Sequence, residues 1–181
     1  MIRTLETPRL LLRPLEIGDA VPAQKLFPQW DVVKYLANIV PWPYPEDGAL
    51  IYYRDVALPA MERGEEWHWT IRMKSDPEQM IGAIGLLKND SNNRGFWLAP
   101  LWQGQGLMSE AVVVVNDFWF DDLGMPVLRA PKAVVNAASR RLSEKFGMRV
   151  IEVSERDYVS GRYVSETWEI TAEEWRSRRR T

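Results

Sequence analysis

Three strand-like segments follow one another in the middle of the chain, and they limit the possible folds more than any other feature. They run over Trp67–Met73, Met80–Leu87 and Arg94–Ala99. The turn residues Ser75-Asp76-Pro77 and the stretch 89–93 separate them, so each segment can reverse direction and pair with the one before it. This spacing predicts an antiparallel meander.

Helices and further strands surround the meander in the sequence. Asp19 is expected to cap a first helix that ends near Phe27, and a second helix is expected over 46–63, bent or frayed at Pro59. The other predicted elements are a first strand at Arg9–Leu15, a helix over Ser109–Leu123, a strand over Val127–Ala133, a helix over Ala137–Phe146, strands over Arg149–Ser154 and Arg162–Ile170, and a last helix opened by the capping box Thr171–Glu174. We therefore predict a mixed α/β fold, with a mostly antiparallel central sheet and flanking helices.

The totals of the sequence fit one globular domain over residues 1–181. A length of 181 residues suits one sizeable core, and 46% hydrophobic and 27% charged residues are ordinary values. No apolar run approaches the roughly 20 residues that span a bilayer. The N-terminal segment carries arginines through its apolar stretch and lacks a small-residue cleavage site. We expect no membrane partner and a cytoplasmic location.

Residue types that are missing or rare exclude several chemistries. The sequence has no cysteine and one histidine, His68, which rules out disulfides, thiolate nucleophiles and Cys/His zinc sites and argues against a Ser-His-Asp triad. No metal is expected. The net charge of −2 gives no electrostatic basis for DNA binding. The basic run Arg176–Arg180 is interpreted as a solvated tail, with contact to RNA or the ribosome as the alternative.

The stretch from Trp102 to Ala111 carries the strongest functional signal. A predicted strand ends at Pro100, Gly104 and Gly106 follow, and a helix then begins. Glycines let backbone N–H groups turn inward together, and a helix N-terminus adds partial positive charge. The stretch is therefore either a cradle for phosphate oxygens or a plain tight connection.

Two nucleotide sites are excluded by the residues themselves. A nucleotide P-loop requires Gly-Lys-Ser/Thr, which is absent from this sequence. A dinucleotide fingerprint requires a third glycine where Ser109 stands.

At this stretch the chain resembles the GNAT superfamily of acetyl-CoA-dependent N-acetyltransferases. Gln103-Gly104-Gln105-Gly106 is similar to the pyrophosphate loop of that family, while Met108 departs from its final Gly/Ala. Further blocks resemble the RimJ/RimL branch, which acetylates N-terminal amines of ribosomal proteins. These blocks are Glu6–Arg13, Ile81–Leu86, and Asn136–Ser139 with Phe146–Met148. The similarity covers about residues 4 to 175.

The resemblance implies how a cofactor binds. The strand at 94–99, the fourth of the family's fold, would splay from the fifth strand at 127–133, and acetyl-CoA would lie in the resulting V. The implied cofactor-binding residues are Phe96, Trp97, Leu98, Ala99, Gln103, Gly104, Gln105, Gly106, Leu107, Met108, Ser109, Asn136, Ser139 and Lys145. The chain is expected to act as a monomer or homodimer on a primary amine, with a ribosomal protein N-terminus as the candidate acceptor.

The resemblance also implies catalytic roles, each with an alternative. Ser139 falls where RimL-like enzymes have a serine near the thioester sulfur, although it could instead bond back to its own helix. Asn136 could contact pantetheine, cap a helix, or do both. The tyrosine acid of many relatives is replaced by Ser143, so the tyrosine mechanism does not transfer.

No residue identifies the general base clearly. Asn93 stands where many relatives have a glutamate. Glu155 and Asp157 are weak substitutes for that glutamate, and we take Asp157 as the candidate base. His68 is either a structural residue or a base. An α-amino group, with a pKa of about 7.7–8.0, needs little help to lose its proton.

Two other functions stay open from the sequence. One is acetylation of a small amine such as an antibiotic, a polyamine or an amino acid, which acidic residues in the acceptor groove would favour. The other is a non-catalytic acyl-CoA-binding protein. Four basic residues are expected to contact the adenosine phosphates or to be solvated: Lys132, Arg140, Arg141 and Lys145. Four aromatic residues are expected to line the acceptor side or to pack in the core: Trp30, Trp42, Tyr44 and Trp67.

Overall fold

The computed structural model describes residues 2–179, in which strands form two antiparallel sheets. The first sheet has five strands in chain order, and the second has three in the order β6-β8-β7. The strands are β1 (Leu5–Glu6), β2 (Leu10–Pro14), β3 (Glu66–Met73), β4 (Asp76–Leu87), β5 (Arg94–Leu98), β6 (Val127–Ala133), β7 (Arg149–Tyr158) and β8 (Gly161–Thr171). The predicted meander is β3-β4-β5, and the mixed α/β fold class is confirmed.

Helices pack against both sheets. They are α1 (Ala20–Leu26), α2 (Trp30–Val33), α3 (Gly48–Tyr52), α4 (Leu58–Glu62), α5 (Leu107–Asp117), α6 (Ala137–Lys145) and α7 (Ala172–Arg178). Short 3₁₀ turns lie at Ile17–Asp19 and Pro100–Trp102. π-helical turns at Tyr53–Ala57 and Phe118–Asp122 join α3 to α4 and extend α5.

The main hydrophobic core lies between the meander and α5. Alternation along β3 puts Trp67, Trp69 and Ile71 on one face, and all three are buried. The ring of Trp69 meets Phe118 edge-on, with 5.1 Å between centroids. This packing anchors α5 against the first sheet, so its N-terminal end is held beside the end of β5.

The two sheets part between β5 and β6. At one end the strands are joined through Asn93, whose backbone N–H donates to the carbonyl of Arg129 (2.7 Å) and whose Oδ1 accepts from the Arg129 N–H (2.7 Å). Beyond this point the strands belong to different sheets. The predicted splay of these two strands is therefore confirmed.

Several predicted boundaries are corrected. Asp19 precedes α1, but its side chain makes no cap; it accepts instead from the Glu16 N–H (2.9 Å) and from buried Arg72 (2.7 Å). The helix predicted over 46–63 runs over 48–62. Its irregular part precedes Pro59, because a proline ring clashes with the carbonyl four residues earlier.

Turn chemistry explains the other differences. β4 begins at Asp76, since the hairpin turn is made by Lys74 and Ser75 alone. α5 begins at Leu107, two residues before the predicted start, because Gly106 (φ 77°) turns the chain directly into the helix. The predicted capping box is present: Thr171 accepts from the Glu174 N–H (3.2 Å), and Glu174 accepts from the Thr171 N–H (2.8 Å).

The C-terminal arginines are not a solvated tail over the part that the structure describes. Arg176 pairs with Asp121 (3.0 Å), and Arg179 pairs with Asp117. Trp175, directly before Arg176, is buried in the main core. The last residue of the predicted tail, Arg180, lies outside the described residues.

Candidate functional site

A cleft of about 500 Å³ lies in the V between the two sheets. Four segments line it: β5, the glycine loop with the first turn of α5, the first half of α6, and the chain at and after α2. Its lining residues are Asp31, Val32, Lys34, Tyr35, Leu36, Phe96, Trp97, Leu98, Trp102, Gln103, Gly104, Gly106, Leu107, Met108, Ser109, Asn136, Ala137, Ala138, Ser139, Arg141 and Leu142.

The glycine loop presents backbone donors to this cleft. Gly104 (φ 74°) and Gly106 (φ 77°) both adopt left-handed conformations, which L side chains rarely adopt. The N–H groups of Leu107, Met108 and Ser109 form the first turn of α5, where a helix has no internal acceptors for them. A row of free N–H groups at the positive end of a helix dipole suits phosphate oxygens.

Arg9 holds the glycine loop from outside the cleft. Its Nη2 donates to the carbonyl of Gln105 (3.0 Å), and its Nε donates to Glu110 (2.5 Å), which also accepts from the hydroxyl of Thr7 (2.8 Å). Partial burial raises the pKa of Glu110, but the hydrogen bonds from Thr7 and Arg9 outweigh it and hold this pKa below its usual value. The loop conformation is therefore fixed before any ligand arrives.

β5 presents an unpaired edge to the cleft. The N–H of Ala99 donates to Ile81 (2.9 Å), and the carbonyl of Asn93 accepts from Leu87 (2.9 Å). Since hydrogen-bonded residues alternate along an antiparallel strand, the backbone groups of Phe96 and Leu98 point away from β4 and into the V. The Gln103 side chain donates to the Leu98 carbonyl (2.9 Å). The remaining groups can pair with the amides of an extended ligand such as pantetheine.

The start of α6 closes the cleft opposite β5. Asn136 caps the helix, accepting from the Ser139 N–H at 3.2 Å, so the capping alternative is observed. Asn136 also lines the cleft, as does Ser139. The Ser139 hydroxyl makes no hydrogen bond to any residue among 2–179, so the alternative, a bond back to its own helix, is not observed.

Four predicted site residues lie outside the cleft lining. Asp157, at the end of β7, pairs across its hairpin with Arg162 (3.3 Å). Lys145 lies on the last turn of α6 over the ring of Phe146, because the helix runs away from the cleft. Gln105 folds its side chain back onto the Leu101 carbonyl (3.0 Å), and Ala99 is turned toward β4. The structure brings none of these four side chains to the other predicted residues.

The remaining candidates are structural in this fold. His68 Nε2 contacts Glu66 at 2.6 Å, and neither residue lines the cleft. Asn93 is buried, and its side chain joins the two sheets by accepting from the Arg129 N–H. Ser143 is buried with no hydrogen-bond partner for its hydroxyl among the described residues. The four aromatic candidates also stay out of the lining: Trp67 lies in the core, Tyr44 packs on Phe27, and Trp30 and Trp42 contact each other.

The sequence analysis did not predict that charged residues at and after α2 line the cleft. Asp31 and Lys34 line the cleft and pair with each other (2.7 Å). Tyr35 lies beside them. They follow no motif, and only the packing of the α2 segment against the second sheet brings them to the V. Arg141 was one of four cations named from sequence, and it alone of those four lines the cleft.

A comparison with protein families identifies the chain. The acetyltransferase (GNAT) domain matches residues 9–149, more than half of the sequence. The chain belongs to the GNAT acetyltransferase family. The expected enzyme class, an N-acetyltransferase that depends on acetyl-CoA, is therefore confirmed, and the glycine loop and free strand edge supply a site that fits this cofactor.

Two Bacillus subtilis proteins are similar to the chain in sequence. The N-acetyltransferase YoaA, itself described as uncharacterized, is 29% identical over 155 residues, which cover 82% of this chain and 84% of YoaA. The probable N-acetyltransferase YjcK is 32% identical over 92 residues, which are 48% of this chain. The match spans only half (50%) of the length of YjcK.

Solved structures share the fold over nearly the whole chain. A ribosomal-protein-S5-alanine acetyltransferase from Vibrio fischeri superposes with a TM-score of 0.80 at 15% identity, covering 96% of this chain and 99% of the other. A spermidine N-acetyltransferase from Vibrio cholerae, solved with coenzyme A and spermine, gives 0.77 at 19% identity, covering 93% and 99%. At these identities the likeness establishes the fold alone.

Two further features of the described residues concern membranes and metals. No helix within residues 2–179 is long and apolar enough to span a bilayer. Those residues also contain no group of three or more His, Cys, Asp or Glu side chains placed to hold a metal ion.

Proposed function

We propose that this GNAT enzyme transfers the acetyl group of acetyl-CoA to the α-amine at a peptide or protein N-terminus, as RimJ/RimL-like enzymes do. The observation that carries the proposal is the charge of the α2 segment, which we assign to the acceptor side of the cleft. The single carboxylate among the described lining residues, Asp31, forms an ion pair with Lys34 at 2.7 Å. A polyamine carries several ammonium groups that free carboxylates would bind, whereas a single α-amine reacts in its neutral form. The V. fischeri structure shares this fold.

Each part of the cleft then has a role. The N–H groups at the start of α5, with the guanidinium of Arg141, bind the phosphates. The free edge at Phe96 and Leu98 binds pantetheine, and an N–H of this edge stabilises the oxyanion of the transition state. Ser139 donates to the leaving sulfur. With these roles the whole chain is one catalytic domain. Because an α-amine loses its proton readily near neutral pH, no described carboxylate is needed as a base.

A panel of acceptors tests the acceptor assignment. Peptides with free and blocked N-termini, spermidine, and free lysine are incubated with acetyl-CoA, and products are identified by mass spectrometry. We expect acetylation at the α-amine of the free peptide, at a rate at least about tenfold above that of spermidine. Faster acetylation of spermidine, or of a lysine side chain in the blocked peptide, would contradict the assignment while leaving the acetyltransferase activity in place.

A further inference from the structure

Two buried cations flank the closed end of the V. Arg94, the first residue of β5, is 4% exposed, and Lys132 on β6 is 5% exposed. Both lie against the ring of Phe96, with the Arg94 Cζ 6.0 Å and the Lys132 Nζ 5.9 Å from its centroid. Phe96 itself lines the cofactor cleft. The ring of Phe96 therefore contacts both cations and the cleft, although neither cation lines the cleft itself.

Neutral groups alone accept hydrogen bonds from Arg94. Its Nη1 donates to Asn116 Oδ1 (2.7 Å), and its Nη2 lies 3.9 Å from the sulfur of Met148. Its Nε has no partner among residues 2–179, and the same holds for the amide nitrogen of Asn116. The side-chain ammonium of Lys132 makes no hydrogen bond or ion pair within the part of the chain that the structure describes.

The one acid in register with this pair is already engaged. Glu166 on β8 stands opposite Lys132, but its carboxylate accepts both Nε (2.9 Å) and Nη2 (3.2 Å) of Arg140 on α6. The charges facing Lys132 from its neighbouring elements are thus Arg94 on β5 and the Glu166–Arg140 pair. No described carboxylate neutralises Arg94 and Lys132.

Burying these two cations without a counter-anion destabilises the fold. Burial lowers the pKa of Arg94 to about 10, and burial together with the charge of Arg94 lowers the pKa of Lys132 to about 7. Buried donors are almost always satisfied in folded proteins, and a buried charge is normally paired. Two cations with spare donors and no acceptor form a site that is complementary to an anion.

We propose that Arg94 and Lys132 bind the terminal carboxylate of a short dicarboxylic acyl group, such as succinyl, carried on coenzyme A. The inference rests on the proposed cofactor cleft. There the thioester lies against the edge of β5 near Phe96, and a longer acyl chain would continue past that ring. Arg94 lies two residues further along the strand, toward the closed end. A guanidinium and an ammonium on one carboxylate form charge-assisted hydrogen bonds.

The burial of the site argues for an acyl group rather than a free anion. Both cations are about 95% covered, with exposed fractions of 4% and 5%, and Phe96 adjoins both of them on the side of the cleft. A ligand anchored along the cleft delivers its carboxylate past this ring at high effective concentration. A free ion in solution has no such anchor.

Binding measurements with three thioesters test the proposal. Acetyl-CoA, butyryl-CoA and succinyl-CoA are titrated into the intact protein by calorimetry, and butyryl-CoA controls for chain length without charge. We expect succinyl-CoA to bind at least about tenfold tighter than butyryl-CoA, as hydrogen bonds to a charged group imply. The matched variants are Lys132→Met, which keeps a similar volume, and Lys25→Met, which removes an exposed lysine on α1.

The outcomes separate this inference from the proposed function. In Lys132→Met the preference for succinyl-CoA should fall to less than threefold while acetyl-CoA binds as before, and Lys25→Met should behave as wild type. Equal affinity of the wild-type protein for succinyl-CoA and butyryl-CoA overturns the inference. This result comes from the wild-type protein alone, so it does not depend on whether a variant folds. Stabilisation by chloride without any preference among the thioesters overturns it as well. Failure of acetyl-CoA itself to bind removes the proposed cleft instead.

Discussion

Ser139 lies in the first turn of α6 with a hydroxyl that no described residue binds, on the wall of the cleft. Thiolate charge develops on the leaving sulfur only as the amine attacks. A donor placed there lowers the barrier without strengthening ground-state binding, so its loss lowers kcat and kcat/KM together. We expect Ser139→Ala to lower kcat by about 10–150-fold, corresponding to about 1.5–3 kcal/mol, with the dissociation constant of acetyl-CoA unchanged.

Ser143 provides the control on the same helix. Its hydroxyl is also unpartnered among the described residues, but it is buried away from the cleft. Ser143→Ala should leave kcat within twofold and keep or raise stability, since alanine is the better helix former. A Ser139→Ala enzyme within twofold of wild type in kcat would assign Ser139 a purely structural role.

Lys132 couples the stability of the fold to pH. Burial lowers its pKa from 10.5 to about 7. Between those values the unfolded chain holds a proton that the folded chain has lost, so the free energy of unfolding rises with pH. Below about pH 7 both states are charged, and the whole penalty of burying the ammonium remains.

Removing this charge should therefore raise the free energy of unfolding most at neutral and lower pH. We expect Lys132→Met, without ligand, to raise Tm by at least about 2–4 °C near pH 7, as about 1 kcal/mol implies for a chain of this size. The gain should shrink as the pH approaches about 10. Thermal unfolding over this range, with Lys25→Met as control, measures it. A gain that does not vary with pH would show that Lys132 does not titrate in the folded state.

At the scale of residues, the sequence predicts side chains that belong to a local motif. It does not predict which residues from distant segments lie next to each other. Gly104, Gly106 and Asn136 follow from local spacing, because a short stretch of chain creates each requirement. The placement of Arg94 and Lys132 around the ring of Phe96 depends on how β5 and β6 are placed in different sheets. Nothing within either strand reveals it.

At the scale of elements, the turn into α5 determines phosphate binding. Gly106 has a φ of 77°, and a Cβ there would lie 3.5 Å from Arg9 Nη2, the group that holds the loop. Valine is strained at this φ and narrows the space for phosphate. We expect Gly106→Val to raise the KM for acetyl-CoA by at least about tenfold, and to lower stability by about 1–2 kcal/mol.

Gly124 supplies the matched control for backbone strain. Its φ is 66°, and nothing lies within 4 Å of a Cβ built there. It does not line the cleft. Gly124→Val should cost similar stability with an unchanged KM for acetyl-CoA. If both variants lose cofactor affinity equally, the loop is a connection and not a phosphate cradle.

Element types were predictable from periodicity and turn residues, and the errors have physical causes. Asp19 suits a helix cap, but buried Arg72 takes its carboxylate, since an unpaired buried guanidinium costs more than a lost cap. The hairpin strands extend beyond their predicted ends because two-residue turns leave less chain in the loops. Tertiary contacts decide both cases.

At the scale of the whole molecule, two sheets meet through few contacts around the cleft. Asn93 and Arg129 join them at the closed end of the V. Toward the open end, the edge of β5 faces the start of α6 across the cleft. The two halves of the molecule should therefore depend on each other most weakly at that open end. A ligand lying in the V contacts both halves.

Acetyl-CoA should consequently stabilise the whole fold. At 100 times its dissociation constant it adds about 2.7 kcal/mol if it binds only the folded state, which is a rise in Tm of about 5–11 °C for a domain of this size. Thermal unfolding with and without millimolar acetyl-CoA measures this, and hydrogen exchange locates it. We expect new protection at β5, at the start of α5 and at the start of α6 together, because the ligand bridges them. A rise in Tm with protection confined to one sheet would place the ligand outside the V, and no rise at all would remove the cofactor site.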